Sequence, residues 1–318
     1  MQEMNLGCDH MKKARFVRVD VFTKKPFGGN PLAVFPDGKG LTDREMQSLA
    51  KEMNLSETTF VLPPTKGSGA DFRVRIFTPD MEVPYAGHPT IGTFFVLAME
   101  GRIRTKASVT RAMMEVKAGV LPVEIHSKSG KISKVVTFQN KPVFGKPFED
   151  VEGVAKALTL KTSDFDTKRM PIQLVSTGLP WLIAPVRTLK AVEMASGNAS
   201  AFPRVVDKLP KDVLDIYVTC LETVEKTSTT HSRGFSLCAK NIVEDPATGS
   251  ASGCLGAYLV HNGLVDVKNS VRMINEQGYE IGRPSKIAIE VSTDKDGEID
   301  SVSVGGSVVH MMDGQAYL

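Results

Sequence analysis

The chain has 318 residues, with 39 Lys and Arg against 36 Asp and Glu, and is 42% hydrophobic, the composition of one large or two modest globular domains with a substantial core. A net charge of +3 without a basic stripe argues against nucleic acid or a membrane surface as partner, and no apolar run reaches the ~18 residues of a membrane span. Four cysteines without regular spacing, Cys8, Cys220, Cys238 and Cys254, read as reduced thiols of a cytoplasmic protein.

In chain order, residues 1–13 read as a loose leader. Order is expected from Arg15, where Val17, Val19 and Val21 alternate with Phe16, Arg18, Asp20 and Phe22, a strand with its charges on one face. Thr42-Asp-Arg-Glu45 forms a capping box and opens a helix carrying Met46, Leu49, Ala50 and Met53 on one side. Thr58 to Leu62 returns to strand composition, with Glu57 at the junction. Alternation resumes at Phe72, Val74 and Ile76. Pro79, Pro84 and Pro89 then punctuate a loop before the apolar run Ile91 to Met99, which reads as a fully buried helix. Strand-like stretches follow near Val120 to Ile125, Val135 to Phe138, Trp181 to Val186, Val213 to Val218 and Phe235 to Cys238. A second apolar helix spans Gly249 to Val260, and strands at Ile287 to Val291 and Val302 to Val309 close the chain.

The two halves resemble each other. Glu82-Val-Pro84-Tyr-Ala-Gly87-His88 and Glu244-Asp-Pro246-Ala-Thr-Gly249-Ser250 share the frame E-x-P-x-x-G-[HS] at an offset of 162, each followed by an apolar helix. Gly29-Asn-Pro31-Leu-Ala-Val-Phe35 is echoed by Gly178-Leu-Pro180-Trp-Leu-Ile-Ala184 at an offset of 149. The chain therefore reads as two copies of one α+β unit: residues 14–128, residues 129–300, and a closing strand, 301–318, that crosses back to the first half. Each copy places a Gly and a polar side chain at the start of a nearly uncharged helix, where free N–H groups and the helix dipole favour an anion. A pseudo-twofold axis that joins the two starts would make a cleft for a small carboxylate. In the plainer reading His88 and Ser250 are N-caps and the glycines relieve crowding.

At these residues the sequence resembles the phenazine-biosynthesis PhzF-like proteins, which share the diaminopimelate epimerase fold. The carriers are V-D-V-F-T (19–23), G-G-N-P-L-A-V-F (28–35), N-L-S-E-T-T-F-V (54–61), F-T-P-D-M-E-V-P-Y-A-G-H-P-T-I-G (77–92), E-D-P-A-T-G-S-A (244–251), G-R-P-S (282–285) and V-G-G-S-V (304–308). The resemblance implies two pseudo-symmetric halves, each a β-sheet wrapped round a central apolar helix, an active site between them, and a homodimer. Carried over by motif, Glu57 matches the acid/base carboxylate, and His88, Asp245 and Ser250 match the polar groups around the substrate. Asn30, Gly87, Thr248 and Gly249 are expected to bind it. The activity implied is a proton shift between carbons, as on trans-2,3-dihydro-3-hydroxyanthranilate, without metal or organic cofactor.

Such chemistry needs one base at the carbon and donors at the oxygen where charge collects. Partial desolvation of Glu57 would raise its pKa enough to accept and return a proton; the plainer reading is a solvent-facing Glu at a strand start. Trp181, Tyr85 and Gln277 are further cleft-lining candidates. A two-cysteine racemase of the same fold needs a thiol at each helix start, where this chain has His88 and Ser250. Cys254, one turn farther in, reads as a small buried residue. The six histidines, His10, His88, His126, His231, His261 and His310, lack metal-ligand spacing, and Gly249-Ser-Ala-Ser-Gly253 puts Ala251 where a nucleophile elbow needs Ser. A non-catalytic binding protein on the same fold is the reading from another class.

Overall fold

Alternation in the first strand does what it requires: Val17, Val19 and Val21 are fully buried on β1 (Lys13–Val21), the start of a computed structural model that describes residues 12–105, 107–211, 213, 215–238 and 241–318. Of the expected leader, residues 1–11, with Cys8 and His10, lie outside the described residues. Order starts before Arg15, because Lys12 exchanges backbone hydrogen bonds with Leu318 and Lys13 pairs with Tyr317.

The first half continues through β2 (Asn30–Phe35), α1 (Asp43–Met53), β3 (Thr58–Leu62), β4 (Phe72–Phe77), β5 (Glu82–Val83), α2 (Gly87–Met99), β6 (Val109–Val116), β7 (Gly119–Lys128) and β8 (Lys131–Gln139). The second comprises β9 (Val143–Pro147), α3 (Val151–Ala157), β10 (Gln173–Ser176), β11 (Pro180–Pro185), α4 (Leu189–Met194), α5 (Phe202–Val206), β12 (Asp215–Cys220), β13 (Thr230–Cys238), β14 (Asn241–Asp245) and α6 (Gly249–His261). It ends in β15 (Ser270–Gln277), β16 (Ser285–Thr293), β17 (Ile299–Gly306) and β18 (Val308–Tyr317).

The repeat is visible in the pairing. β1, β2, β3, β4, β6, β7 and β8 join by antiparallel, parallel, antiparallel, parallel and two antiparallel ladders. β10, β11, β12, β13, β15, β16 and β17 repeat that series in the same order. Short strands β5 and β14 hang from β4 and β13 at matching registers, Phe77 opposite Glu82 and Phe235 opposite Glu244. β8 pairs with β17, while β9 leaves the first half to pair with β10 and β18 leaves the second to pair with β1. The stretch expected as one strand, Val302 to Val309, is therefore two: the chain turns at Ser307, whose carbonyl accepts from the amides of Phe22 and Thr23.

Each sheet curls round its apolar helix. Ile91, Phe94 and Leu97 of α2 pack with Val19, Leu32, Val74, Met114 and Val135, and Leu255 and Tyr258 of α6 pack with Ile183, Tyr217, Ile289 and Val302. Burial on this scale, at ~25 cal/mol per Å2 of apolar surface, is what holds a helix with no polar face inside a sheet. Gly92 permits the close approach, since a Cβ there would stand 2.5 Å from Leu32 Cδ2. On the outer faces α1 covers Phe35, Phe60 and Phe77, and α3, α4 and α5 cover β11 and β12. The capping box forms as read: Glu45 N–H donates to Thr42 Oγ1 at 3.2 Å and Thr42 N–H to Glu45 Oε2 at 2.6 Å. Asp20 departs from the expected solvent face of β1. It is buried, and Arg283 of the G-R-P-S segment donates to it at 2.7 Å. Among the described residues no helix is long and apolar enough to cross a membrane.

Candidate active site

Asn54 closes α1 in the left-handed region (φ 50°), with its N–H on the Ala50 carbonyl, and turns the chain so that Glu57 enters at the head of β3. The first turn of α2 brings His88 to the same place, with Nε2 3.5 Å from Glu57 Oε2. Neither atom has a hydrogen-bond partner and both are shielded from solvent. Thr58 Oγ1 and Asn30 Oδ1 are likewise buried and unpartnered. A concentration of unsatisfied polar atoms is costly in a core, and it marks a place where a catalytic role, an ordered water or a bound group supplies the partners.

The second half supplies Asp245. Asn30 Nδ2, from the first half, donates to Asp245 Oδ1 at 2.8 Å and to the Ala247 carbonyl at 3.0 Å, so the halves are stitched together at this point. Thr248 Oγ1 donates to Asp245 Oδ2 at 2.6 Å. Ser250 Oγ accepts from Trp181 Nε1 at 3.1 Å, which gives Trp181 a supporting place beside the second helix start. α2 and α6 touch one another.

Both helices begin one residue before the polar side chain. The N-caps are Ala86 and Thr248, neither of which caps through its side chain, so His88 and Ser250 are the second residues of the first turn and not caps. Helix geometry leaves the amides of Gly87 and His88, and those of Gly249, Ser250 and Ala251, without intrahelical partners, and Pro89 has none to offer. Neither first turn carries an acidic side chain. The two starts are therefore anion-friendly in both hydrogen bonding and dipole.

The electrostatics separate the titrating groups. Burial, with a smaller push from the Asp245 charge, raises Glu57 to about 8. Burial also raises Asp245, to about 6, against the opposing hydrogen bonds from Thr248 and Asn30. His88 is driven down to about 3 by burial, with the Pro31 carbonyl working the other way. At neutral pH the cluster thus holds a charged Asp245, a neutral His88 and a Glu57 that is mostly protonated, with an ionised fraction that grows tenfold per pH unit up to about 8. Such a set can move one proton and stabilise one anion.

The structure brings together Asn30, Glu57, His88, Asp245, Thr248 and the helix-start residues Gly87, Gly249 and Ser250. Gln277 is corrected: it is fully buried behind Thr248 rather than facing a cleft. Tyr85 packs on the core of the first half. Cys254 is buried, its thiol pushed up to about 11 by desolvation, an inert position. The Glu that opens each repeated frame is a pin: Glu82 takes Arg75 at 2.8 and 2.8 Å and Glu244 takes Arg233 at 2.9 and 2.7 Å, both bidentate. Arg283, absent from the expected site, ties the loop before β2 to that before β16 by donating to Asp20 and to the Gly28 and Gly29 carbonyls. Its motif was the available signal. Two surface cavities, of about 190 and 290 Å3, lie along Arg73 to Arg75 and along Arg102 to Arg104 and share no residue with this cluster.

A model of the PhzC-PhzF family, described as phenazine biosynthesis-like protein, matches residues 19–314. The chain belongs to this family. An isomerase of Bacillus subtilis, YfhB, is 36% identical over 89% of this chain and 92% of its own length. The trans-2,3-dihydro-3-hydroxyanthranilate isomerase of Pseudomonas aeruginosa is 34% identical over 96% of this chain and 99% of its own. The crystal structure of a Bacillus anthracis PhzF-family protein superposes with a TM-score of 0.88 at 33% identity, covering 97% of this chain and all of that one. A hydroxyproline epimerase from Agrobacterium vitis, 14% identical, shares the fold with a TM-score of 0.65 over 97% of this chain and 92% of its own. The expected α+β fold of two epimerase-like halves stands, and this PhzF-like chain is an isomerase.

Proposed function

We propose that this PhzF-like isomerase moves a proton between two carbons of a small unsaturated carboxylate, without metal or organic cofactor, and that Glu57 takes and returns the proton. The observation that carries the reading is the Glu57 carboxylate itself. Its Oε2 is buried, unpartnered, 3.5 Å from His88 Nε2 and titrates near 8. A general acid–base works best with a pKa close to the working pH.

In the reaction the substrate carboxylate lies at the two helix starts. Ionised Glu57 removes a proton from an adjacent carbon, and the C–H electron pair becomes part of a conjugated anion whose charge spreads onto the carboxylate. The first-turn amides of α2 and α6 receive that charge. Protonated Glu57, whose acidic hydrogen exchanges in part with water, then delivers a proton to a second carbon, so that one double bond has shifted and nothing has been oxidised. His88, neutral at working pH, offers a hydrogen bond beside the transfer, and Asp245 and Ser250 orient the substrate's polar groups with Asn30 and Thr248.

The likeness to the P. aeruginosa isomerase supports trans-2,3-dihydro-3-hydroxyanthranilate as the first compound to test. Mixing it with purified protein and following the ultraviolet spectrum should give turnover that needs no added metal and survives a chelator. No conversion of this or any related cyclic acid would move the binding-protein reading ahead. The assembly expected with this activity is a homodimer, which light scattering measures.

A further inference from the structure

The pseudo-symmetry supplies an internal control. Strand registers equate Tyr217, Thr219, Thr230, Ser232, Asp245, Asn275 and Gln277 with Thr59, Val61, Phe72, Val74, Val83, Met114 and Val116 of the first half, and the offset of 162 carries the match on to Thr248 and Ser252 against Ala86 and Thr90. The first half thus builds the floor beneath its helix start from mostly apolar side chains. The second builds the same floor from polar ones, although the fold does not require it. Tyr217, Ser252, Asn275 and Gln277 are fully buried. Burying so many polar groups is costly unless each finds a partner, and here they do.

Gln277 is the hub. Its Oε1 accepts from Thr248 N–H at 2.9 Å and from Tyr217 OH at 2.7 Å; its Nε2 donates to the Asp245 carbonyl at 2.7 Å and to Thr248 Oγ1 at 2.9 Å. The Thr248 amide can only donate and the Asp245 carbonyl can only accept, so the orientation of the Gln277 amide is unambiguous. Because Thr248 Oγ1 receives the Gln277 proton, its own hydroxyl proton goes to Asp245 Oδ2, 2.6 Å away. Behind Gln277, Asn275 Nδ2 donates to Tyr217 OH at 2.7 Å and to Ser252 Oγ at 3.1 Å, and Asn275 Oδ1 accepts from Thr230 and Ser232, both at 2.8 Å. Gly234 makes the room, since a Cβ there would stand 3.1 Å from Thr248 Oγ1 and 3.4 Å from Gln277 Nε2.

We propose that Gln277 is a positioning residue: it clamps the turn from Asp245 to Thr248 and, through the Thr248 hydroxyl, keeps Asp245 a hydrogen-bonded carboxylate in the site. This rests on the reading of Asp245 as part of the active site. The opposing influences are all present. Burial most of all, then Asp215 from the head of β12 and the neighbouring Glu244, disfavour the charge; Asn30 Nδ2 and Thr248 Oγ1 favour it, and Glu57, which feels the Asp245 charge, is protonated at neutral pH and adds no charge of its own. Val83, at the matching place in the first half, has no charge to hold, and the matching floor has no glutamine.

The test reads Asp245 directly by 13C NMR of aspartate carboxyl-labelled protein over a pH series, with the Asp245 signal assigned as the one missing from Asp245→Asn. Thr248→Val, isosteric but without the hydroxyl, should raise the Asp245 pKa by about one to two pH units, the loss of one hydrogen bond to a charged group. Thr248→Ser should restore it. Gln277→Met should raise it in the same direction, and the double variant Thr248→Val, Gln277→Met should add nothing to Thr248→Val alone. An unmoved Asp245 in Thr248→Val, an unmoved Asp245 in folded Gln277→Met, or additive shifts in the double variant would overturn the proposal. If Gln277→Met does not fold, Gln277→Asn, one methylene too short to reach the Thr248 hydroxyl, takes its place with the same expected rise, and an unmoved Asp245 there overturns the proposal. Because the signal is independent of turnover, failure here is distinct from failure to find a substrate.

Discussion

Glu57→Gln should make the protein more stable as pH rises. Burial lifts Glu57 to about 8 in the folded chain from the ordinary 4.5 of a free glutamate side chain. Between those values the folded state holds a proton that the unfolded state has lost, so unfolding free energy falls with increasing pH by up to about 1.4 kcal/mol per unit. The shift of 8 against 4.5 corresponds to a ceiling of about 5 kcal/mol above pH 8, a large share of the ~5–15 kcal/mol that stabilises a domain. Gln cannot ionise and removes this dependence, while any cost of its buried amide, about 1–3 kcal/mol, is the same at every pH. Urea titrations of both proteins near pH 5, 7 and 9 separate slope from offset. The stability difference should move in favour of the variant by about 1 kcal/mol per unit up to pH 8 and then level. A difference that stays flat across the series would refute the reading of Glu57 as a buried, desolvated carboxylate.

With Glu57 as the base, kcat/KM should rise about tenfold per pH unit below pH 8 and level above it, with no inflection from His88 near its ordinary value; stopped-flow rates over the pH series measure this. Ser250→Leu should weaken binding of the substrate or of a carboxylate inhibitor by tenfold or more, read by calorimetry, while the protein stays folded with a melting temperature lower by a few degrees, because the buried Trp181 Nε1 loses its acceptor. Arg233→Met should cost about 3–5 kcal/mol in denaturant titrations, since it leaves Glu244 buried without its bidentate partner. It also removes donors to the Val192, Glu193 and Ala195 carbonyls.

The repeat was legible because the entering turns constrain sequence: a Glu pinned to an arginine and a Pro precede each helix, and at Gly249 a Cβ would stand 3.3 Å from Phe22 Cζ. The apolar runs of α2 and α6 were legible for the same reason, as nothing but a buried helix tolerates them. Glu57 was legible only through its motif, because a lone carboxylate at a strand start carries no local sign of burial. Of the floor of the site the sequence singles out only Gln277, as a cleft-lining candidate. Asn275, Glu276 and Gln277 lie in no stretch expected as a strand, yet they end β15 and all three are fully buried. Their partners, such as Tyr217 for Gln277 and His231 for Glu276, come from strands far away in sequence. Asp20 misled in the same way, since the arginine that satisfies it is 263 residues distant. Periodicity reports which side chains are polar, and only tertiary pairing decides whether a polar side chain must face water.

The most direct measurement is deuterium uptake from D2O into the carbons of trans-2,3-dihydro-3-hydroxyanthranilate and related unsaturated cyclic acids, followed by proton NMR with wild type and with Glu57→Gln. Wild type should label a carbon of at least one compound with no metal or cofactor added, and the variant, folded and still able to bind, should be slower by at least the roughly hundred- to ten-thousand-fold that general acid–base assistance usually contributes. Exchange by Glu57→Gln at the wild-type rate would contradict the assignment of Glu57 as the residue that carries the proton.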